Sequence, residues 1–146
     1  MGELLEYALD KFTFKVATDR SYWPEGVWAK AEGKLLTVGV SDFFQQHNGD
    51  VAFAEVLPIG TKVAVGEEFA TLETIKINLE LPSPVAGTIA AVNEVLELEA
   101  EVINMDPYGA GWLAIIRAED WARDKVSLMS AEAYFEHMKT QAQAEI

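Results

Sequence analysis

The sequence has 146 residues, half of them hydrophobic, which suits one folded domain with a buried core and excludes a disordered chain. Its 11 basic and 24 acidic residues give a formal net charge of −13, so we expect it to bind neither nucleic acids nor anionic membranes. The absence of cysteine excludes disulfides, a thiol nucleophile and thiolate metal sites. With two histidines and no clustered histidine–carboxylate motif, neither a metal site nor a catalytic residue is predicted.

The N-terminal segment predicts no secretory signal, because it has neither a basic start nor a long apolar run. No stretch approaches the roughly 18 consecutive apolar residues that a membrane-spanning helix requires. We therefore expect a cytoplasmic protein. Apolar residues at helical intervals within the first ten positions predict one short helix there.

A hairpin followed by a short helix is predicted in the first third of the chain. A tight turn at Gly33 predicts that strands 28–32 and 35–40 form a hairpin. Ser41 is a favourable helix N-cap and Gly49 a favourable C-terminal stop, so we expect one or two helical turns between them.

Further short strands with glycine and proline between them predict a mainly β fold. They are expected at 12–16, 51–56, 62–65, 68–75, 77–81 and 85–92. Their close and regular spacing is typical of a sandwich or a flattened barrel. Segments 58–63 and 84–89 each combine a proline, a small turn and a strand, a faint internal repeat that a duplicated half-domain would produce.

The C-terminal part changes to a helical pattern. A short helix is expected at 119–125, and Ser130 is the predicted N-cap of a second helix whose apolar stripe packs on the strands. Residues 141–146 are expected to fray. The predicted organisation has three parts: an N-terminal extension at 1–22, a β domain at 23–118 and a C-terminal helical segment at 119–146.

One lysine stands apart from the other basic residues. Lys76 is the only lysine or arginine between Val63 and Ile116, and it falls in the expected bend between two strands. The flanking Ile75 and Ile77 are expected to point to the opposite side. Taken alone, such a lysine is most often a solvated turn residue. A single amine at a compact bend is also a suitable target for an enzyme that must acylate one lysine and no other.

Several motifs in order resemble the H protein of the glycine cleavage system and related lipoyl-carrier domains. The resemblance covers about residues 28–138, and the ordered set is more specific than an isolated Glu-x-x-Lys. The matching segments are 38–43, 49–51, 65–67, 73–76, 83–87, 93–94, 104–113 and 130–134.

The resemblance implies a lipoyl-domain-like flattened barrel or sandwich (a barrel-sandwich hybrid) with short helices and a C-terminal helix. It implies that lipoate is amide-linked to Lys76 as lipoyllysine, by a lipoate ligase or by an octanoyltransferase with lipoyl synthase. Independently of the resemblance, Glu73 is expected to help orient or mark the site if the bend places it on the same face as the lysine. The chain would then be a non-catalytic carrier whose arm moves a group between partner enzymes. An H-protein arm folds back along a groove on its own domain, and Trp28, Phe43 and the 106–111 loop are candidates to line it.

The sequence departs from typical glycine-cleavage H proteins at three places. Those proteins usually carry His-Glu-Trp near the first strand, whereas Gly26 and Val27 precede Trp28. Small residues usually follow their lysine, whereas segment 77–82 is bulkier and more apolar. An aromatic-rich N-terminal extension is the third difference.

These departures leave three hypotheses. They favour narrowly a lipoate-binding carrier of sulfur oxidation, with a heterodisulfide-reductase-like complex as its partner. The alternative is the glycine-cleavage shuttle, which serves glycine decarboxylase, aminomethyltransferase and dihydrolipoyl dehydrogenase. A third hypothesis, from another class, is an unlipoylated scaffold or regulator.

Overall fold

The structure, a computed structural model, describes residues 3–145 and is mainly β. The strands are β1 (Leu4–Leu9), β2 (Phe12–Ala17), β3 (Ser21–Tyr22), β4 (Val27–Glu32), β5 (Leu35–Val40), β6 (Val51–Val56), β7 (Lys62–Val63), β8 (Glu68–Thr74), β9 (Asn78–Pro82), β10 (Gly87–Val92) and β11 (Ala114–Ala118). The α-helices are α1 (Asp42–Asn48), α2 (Val102–Met105), α3 (Trp121–Lys125) and α4 (Ala131–Ala144), and a 3-10 helix lies at Glu94–Glu97.

Two sheets enclose the main hydrophobic core. The larger sheet has the strand order β3-β4-β5-β11-β10-β7, and the smaller has the order β6-β8-β9. Inward side chains of both sheets are buried, among them Val38, Leu72 and Ile116, each fully inaccessible to solvent. This arrangement confirms the predicted sandwich with short helices and a C-terminal helix.

The two segments of the predicted internal repeat lie side by side. β7 pairs with β10 in antiparallel register, with Val63 opposite Gly87. The Gly60 N–H donates to the Ile89 carbonyl at 2.8 Å, and the Ile89 N–H donates to the Thr61 carbonyl at 2.9 Å. Equivalent strands that pair antiparallel are what a local twofold relation between two half-domains produces.

The predicted N-terminal helix is wrong, because residues 4–9 form strand β1. This strand pairs with β2 through a tight turn at Asp10, which has a φ of 55°. Leu5, Tyr7 and Leu9 are half-buried while the residues between them are more exposed, which is a period of two. Leu4 and Ala8, which supported the helical spacing, do not share that inward face.

The β1–β2 hairpin packs with α1 and α4 around a second, aromatic core. The rings of Tyr22 and Tyr134 stack with centroids 4.4 Å apart, and Phe14 meets Phe43 edge-on at 5.3 Å. The expected fraying of 141–146 does not describe this end of the chain, because α4 continues to Ala144 and Ala142 is buried. Ile146 and the first two residues lie outside the described part.

The predicted division of the chain into three parts, with boundaries at 22/23 and 118/119, stays a prediction. β3 extends the larger sheet just before the first boundary, and β11 ends at the second. Among residues 3–145, no helix has the length and apolarity needed to cross a membrane.

A buried hydroxyl pair joins α1 to α4. The Ser41 hydroxyl accepts the Phe44 N–H at 3.1 Å as the N-cap of α1, and it lies 2.7 Å from the Tyr134 hydroxyl. Burial raises the pKa of Tyr134 to about 12, so its hydroxyl stays protonated and keeps its hydrogen bond over the physiological range. The predicted cap at Ser41 is therefore confirmed, with a second role in the aromatic core.

We expect Ser41→Ala to lower the free energy of unfolding by about 2–3 kcal/mol, because it removes a cap and leaves a buried tyrosine hydroxyl without its partner. Urea denaturation measures this change. Ser130→Ala is the matched control: Ser130 caps α4 by accepting the Ala133 N–H at 3.1 Å but is exposed, so a loss of about 1 kcal/mol is expected. Equal losses in the two variants would contradict the role of the hydroxyl pair.

Candidate functional site

Lys76 lies at the tip of the hairpin between β8 and β9. The strands pair in antiparallel register up to Glu73 and Asn78, and loop 75–77 projects beyond them. The Lys76 side chain is exposed, and no ion pair among residues 3–145 involves its amine. The hairpin therefore presents one amine to solvent, with no carboxylate partner to be displaced before the amine can react.

A single hydroxyl organises the hairpin tip. The Thr74 Oγ1 accepts the backbone N–H groups of Lys76 and Ile77, both at 3.1 Å, and donates to the Ile77 carbonyl at 3.1 Å. These three bonds use the whole capacity of a hydroxyl group, which has one donor and two acceptor sites. The backbone of the lysine is thereby fixed, and none of these bonds involves its side-chain amine.

The hairpin tip rests on the junction between α1 and β6. The Ile75 N–H donates to the Asp50 carbonyl at 3.2 Å. A Cβ atom at Gly49 would lie 3.5 Å from the Cε of Lys76, so the lysine stem passes the glycine backbone at van der Waals distance. Gly49 ends α1 with a φ of 86°, a left-handed conformation that favours glycine.

The side chain of Asn104, in α2, forms hydrogen bonds with both sides of this junction. Its Nδ2 donates to the Gly49 carbonyl and to the Gln45 Oε1, each at 3.1 Å, and its Oδ1 accepts the Val51 N–H at 2.8 Å. One amide group thus joins the end of α1 to the start of β6. The support of the lysine hairpin depends on this side chain.

The other residues predicted near the lysine have mixed outcomes. Ile75 and Ile77 are 74% and 50% exposed, and their expected orientation to the side opposite Lys76 stays a prediction. Glu73 is exposed and lies opposite Phe53 on the outer face of the smaller sheet. No hydrogen bond or ion pair between Glu73 and Lys76 occurs in the described residues, so the marking role of Glu73 stays a prediction.

A groove of about 500 Å³ begins at the support of the hairpin. It lies between the β1–β2 hairpin, α1, α2 and the loop after α2, and it is lined by Leu4, Thr13, Lys15, Asp42, Gln46, Asn104, Met105, Asp106, Pro107 and Tyr108. Because Asn104 both lines the groove and holds Gly49, one end of the groove is close to the stem of Lys76.

The predicted candidates for such a groove are only partly placed along it. Three residues of the 106–111 loop line it. Trp28 is 1% exposed and does not, although its Nε1 donates to the Pro107 carbonyl at 3.2 Å and so supports the loop from behind. Phe43 is buried in the aromatic core and borders a different cavity.

Arg20 and a close glycine contact fix the groove loop. The guanidinium of Arg20 lies over the Trp28 ring at 4.5 Å and donates to the Tyr108 carbonyl at 3.0 Å. A Cβ at Gly111 would lie 2.7 Å from the Val102 carbonyl oxygen, so only glycine fits there. Burial raises the pKa of Tyr108, and its protonated hydroxyl donates to the Lys15 carbonyl at 2.7 Å.

The sequence did not identify Thr74, Gly49 and Asn104 as parts of this site. Thr74 precedes the lysine by two residues, a spacing at which a hydroxyl often bonds to the backbone of a turn. Asn104 carries no such local signal, because its partners lie more than 50 positions away.

The chemistry available at the site is that of one exposed amine beside a polar groove. No group of three or more histidine, aspartate and glutamate side chains able to hold a metal ion occurs in the part of the chain that the structure describes. The arrangement suits an attachment point.

Comparisons with known proteins identify the family of the chain. The sequence profile of the family described as "Glycine cleavage H-protein" matches residues 20–141. A glycine cleavage system H protein of Salinibacter ruber is 44% identical over 120 residues, covering 81% of this chain and 94% of that relative. A probable glycine cleavage system H protein of Aeropyrum pernix is 36% identical over 138 residues, covering 94% and 96%.

A solved structure agrees with the sequence relatives. The crystal structure of a glycine cleavage system H protein from Mycobacterium marinum superposes with a TM-score of 0.74 at 29% identity, covering 82% of this chain and 95% of that one. The chain belongs to the glycine cleavage H-protein family. Members of this family are non-catalytic carrier subunits that hold lipoate covalently on a lysine.

We expect Thr74→Val to loosen the hairpin tip while the fold persists, because it removes three hydrogen bonds at an exposed turn. Hydrogen exchange of the Lys76 and Ile77 amides should accelerate about fivefold to tenfold, the equivalent of about 1 kcal/mol in local opening. Thr74→Ser keeps the hydroxyl and should exchange as the wild type does. Equal acceleration in both variants would contradict the role of the hydroxyl, because serine retains it and should then retain the slow exchange.

Proposed function

We propose that this protein is a lipoyl carrier with lipoate attached to Lys76. The observation that carries the proposal is the position of Lys76, an exposed and unpaired amine at a rigid hairpin tip in a member of a family of lipoyl carriers. No other lysine or arginine occurs between Val63 and Ile116, so an attaching enzyme that approaches this hairpin meets one amine along that stretch.

Attachment is an acyl transfer to nitrogen. The neutral Nζ of Lys76 attacks the carbonyl carbon of an activated lipoyl or octanoyl group, an acyl adenylate or a carrier thioester. The C–N amide bond forms, AMP or the carrier thiol leaves, and the nitrogen loses one proton. The lysine loses its positive charge in this step. When bound, lipoate supplies the pair of redox-active sulfurs that this cysteine-free chain lacks.

This chain's own residues position and shelter the arm. Thr74 and Asn104 hold the backbone from which Lys76 extends. The groove offers the arm a path across the protein surface, with the Asp42 and Asp106 carboxylates in its lining. Lys15 also lines the groove, so the lining offers both acceptors and a donor to a carried group, and exclusion of water protects a labile adduct.

We favour the glycine-cleavage shuttle over the sulfur-oxidation hypothesis that the sequence departures favoured. The sulfur hypothesis, with its heterodisulfide-reductase-like partner, finds no support in the compared proteins, which are named as glycine cleavage H proteins. The expected partners are therefore glycine decarboxylase, aminomethyltransferase and dihydrolipoyl dehydrogenase, with a lipoate-attaching enzyme. The cytoplasmic localisation stays a prediction.

Sulfur oxidation remains the second candidate because of two local features. Val27, at the position before the matching tryptophan, is fully buried, and it replaces the glutamate of the usual His-Glu-Trp. Ile77 places an exposed β-branched side chain directly after Lys76, where small residues are usual. Neither feature changes Lys76 itself.

We expect a lipoylation system to add one lipoyl group to the wild type and none to Lys76→Arg, because arginine offers no acylable amine. Intact-mass measurement of both proteins tests this. Lys62→Arg is the matched control. Lys62 is exposed, as Lys76 is, but it lies on strand β7, and its substitution should not affect the mass gain. An unmodified wild type in the presence of competent enzymes would favour the scaffold hypothesis.

Reconstitution separates the two carrier systems. Lipoylated protein should support glycine decarboxylase turnover in the presence of the other glycine-cleavage enzymes, and Lys76→Arg should reduce it at least a hundredfold. If the fully lipoylated wild type supports no turnover above the background without carrier, the glycine-cleavage assignment is wrong and the sulfur hypothesis takes its place.

A further inference from the structure

The outer face of the smaller sheet runs directly up to the lysine hairpin. Strand register places Phe53, Glu73 and Asn78 in one row across the three strands. The next row away from the tip contains Glu55, Thr71 and Glu80. The glutamates and Phe53 are exposed, so this face is open to solvent in the monomer.

This face has the composition of a protein-binding surface. Phe53 is 66% exposed, and beyond it Ile75 and Ile77 leave apolar surface uncovered on either side of the lysine. Large exposed apolar side chains grouped in this way mark interaction sites more often than isolated ones do. Glu73 lies beside Phe53 in the same row, and Glu55 and Glu80 lie in the next row, so carboxylates border the apolar part as in the charged rim of an interface.

The negative charge of this face favours a partner whose surface is positively charged. β6, β8 and β9 contain no lysine or arginine, and Glu55, Glu73 and Glu80 take part in no ion pair among residues 3–145. A protein that buries this rim must supply lysine or arginine side chains, because unpaired carboxylates are costly to desolvate. It also needs an apolar recess for the Phe53 ring.

The length of the Lys76 side chain, before and after lipoylation, distinguishes the enzymes that could contact this face. The Nζ of an unmodified lysine lies about 6 Å from its Cα, so an enzyme that acylates it must contact the hairpin and its neighbouring rows. The end of a completed lipoyl arm lies about 15 Å from the same Cα, so an enzyme that acts on the dithiolane need not contact those rows. Phe53 lies opposite Glu73, and Glu73 precedes Lys76 by three positions, so Phe53 belongs to the rows next to the hairpin.

We propose that Phe53, Glu55 and Glu80 form the docking surface for the enzyme that attaches the lipoyl group. The partner surface carries lysine or arginine side chains around an apolar recess, and Phe53 enters that recess while Glu55 and Glu80 pair with the basic rim. This inference rests on the proposed attachment of lipoate to Lys76. It adds which face the attaching enzyme contacts and the chemistry by which that enzyme recognises it.

The test uses the full chain, a lipoate ligase, lipoate and ATP, with intact mass as the readout of initial rate. Phe53→Ser/Glu55→Gln/Glu80→Gln should lower kcat/KM for lipoylation at least tenfold at low ionic strength, chiefly through a higher KM. The difference in rate between this variant and the wild type should become smaller in high salt. Salt screens the electrostatic attraction of the wild-type glutamates, so the wild type loses the advantage that the two glutamine substitutions remove. All three side chains are exposed, so the thermal unfolding midpoint should remain near that of the wild type.

A variant with the same kinds of change elsewhere is the control. Val126→Ser/Glu119→Gln/Glu132→Gln alters one exposed apolar residue and two exposed glutamates outside the smaller sheet. It should be lipoylated within twofold of the wild-type rate. Equal rates for the docking variant and the wild type, or equal losses in the docking and control variants, would overturn the proposed surface.

A second measurement tests the choice of partner. The docking variant, lipoylated to completion by long incubation, should support glycine decarboxylase turnover within twofold of the lipoylated wild type. Normal attachment with impaired turnover would assign the face to an arm-using enzyme and overturn the proposal. A wild type that gains no lipoyl group at all would instead contradict the proposed function, so the two failures are distinguishable.

Discussion

The carrier role proposed for Lys76 depends on a fixed backbone beside an amine that has no ion-pair partner among residues 3–145. Three hydrogen bonds from one Thr74 hydroxyl set the hairpin tip, and the Asp50 carbonyl seats that tip on the rest of the domain. None of these bonds uses the Lys76 amine. A tethered arm benefits from this separation, because its anchor point stays constant while the arm itself samples a large volume.

Support for the anchor comes from distant parts of the chain. Asn104 joins α1 and β6 beneath the hairpin, and the loop after α2 is held by Arg20 from the N-terminal side. Burial acts to raise the pKa of Asp19, but the hydrogen bond and charge of Arg20 outweigh it, so that the carboxyl remains ionised beside the guanidinium. Gln45, which accepts from Asn104, donates to the Asp42 carboxylate, and the Asp42 N–H donates to the Tyr108 hydroxyl. The support of the Lys76 hairpin and the groove wall therefore share one network of polar contacts.

Local sequence patterns were sufficient for most of the sandwich. The alternation and turn residues around β5 and β6 gave the same bounds as the structure, and the Ser41 cap was identified because N-cap chemistry is local. The N-terminal strand was missed because helical and strand spacing differ little over six residues, and pairing with β2 decided between them. The position of Lys76 at a bend followed from its neighbours, whereas the clamp by Asn104 depends on a fold that local patterns do not encode.

The β1–β2 hairpin also determines how the protein can be shortened. The matched family profile begins at residue 20, which invites a truncated version that starts there. Such a version would lose Phe14 and Val16 and uncover their partners in the aromatic core, including Met138, which is fully buried in the intact chain. An uncovered apolar surface of this kind promotes self-association, so the hairpin is a cover for the aromatic core as well as a wall of the groove.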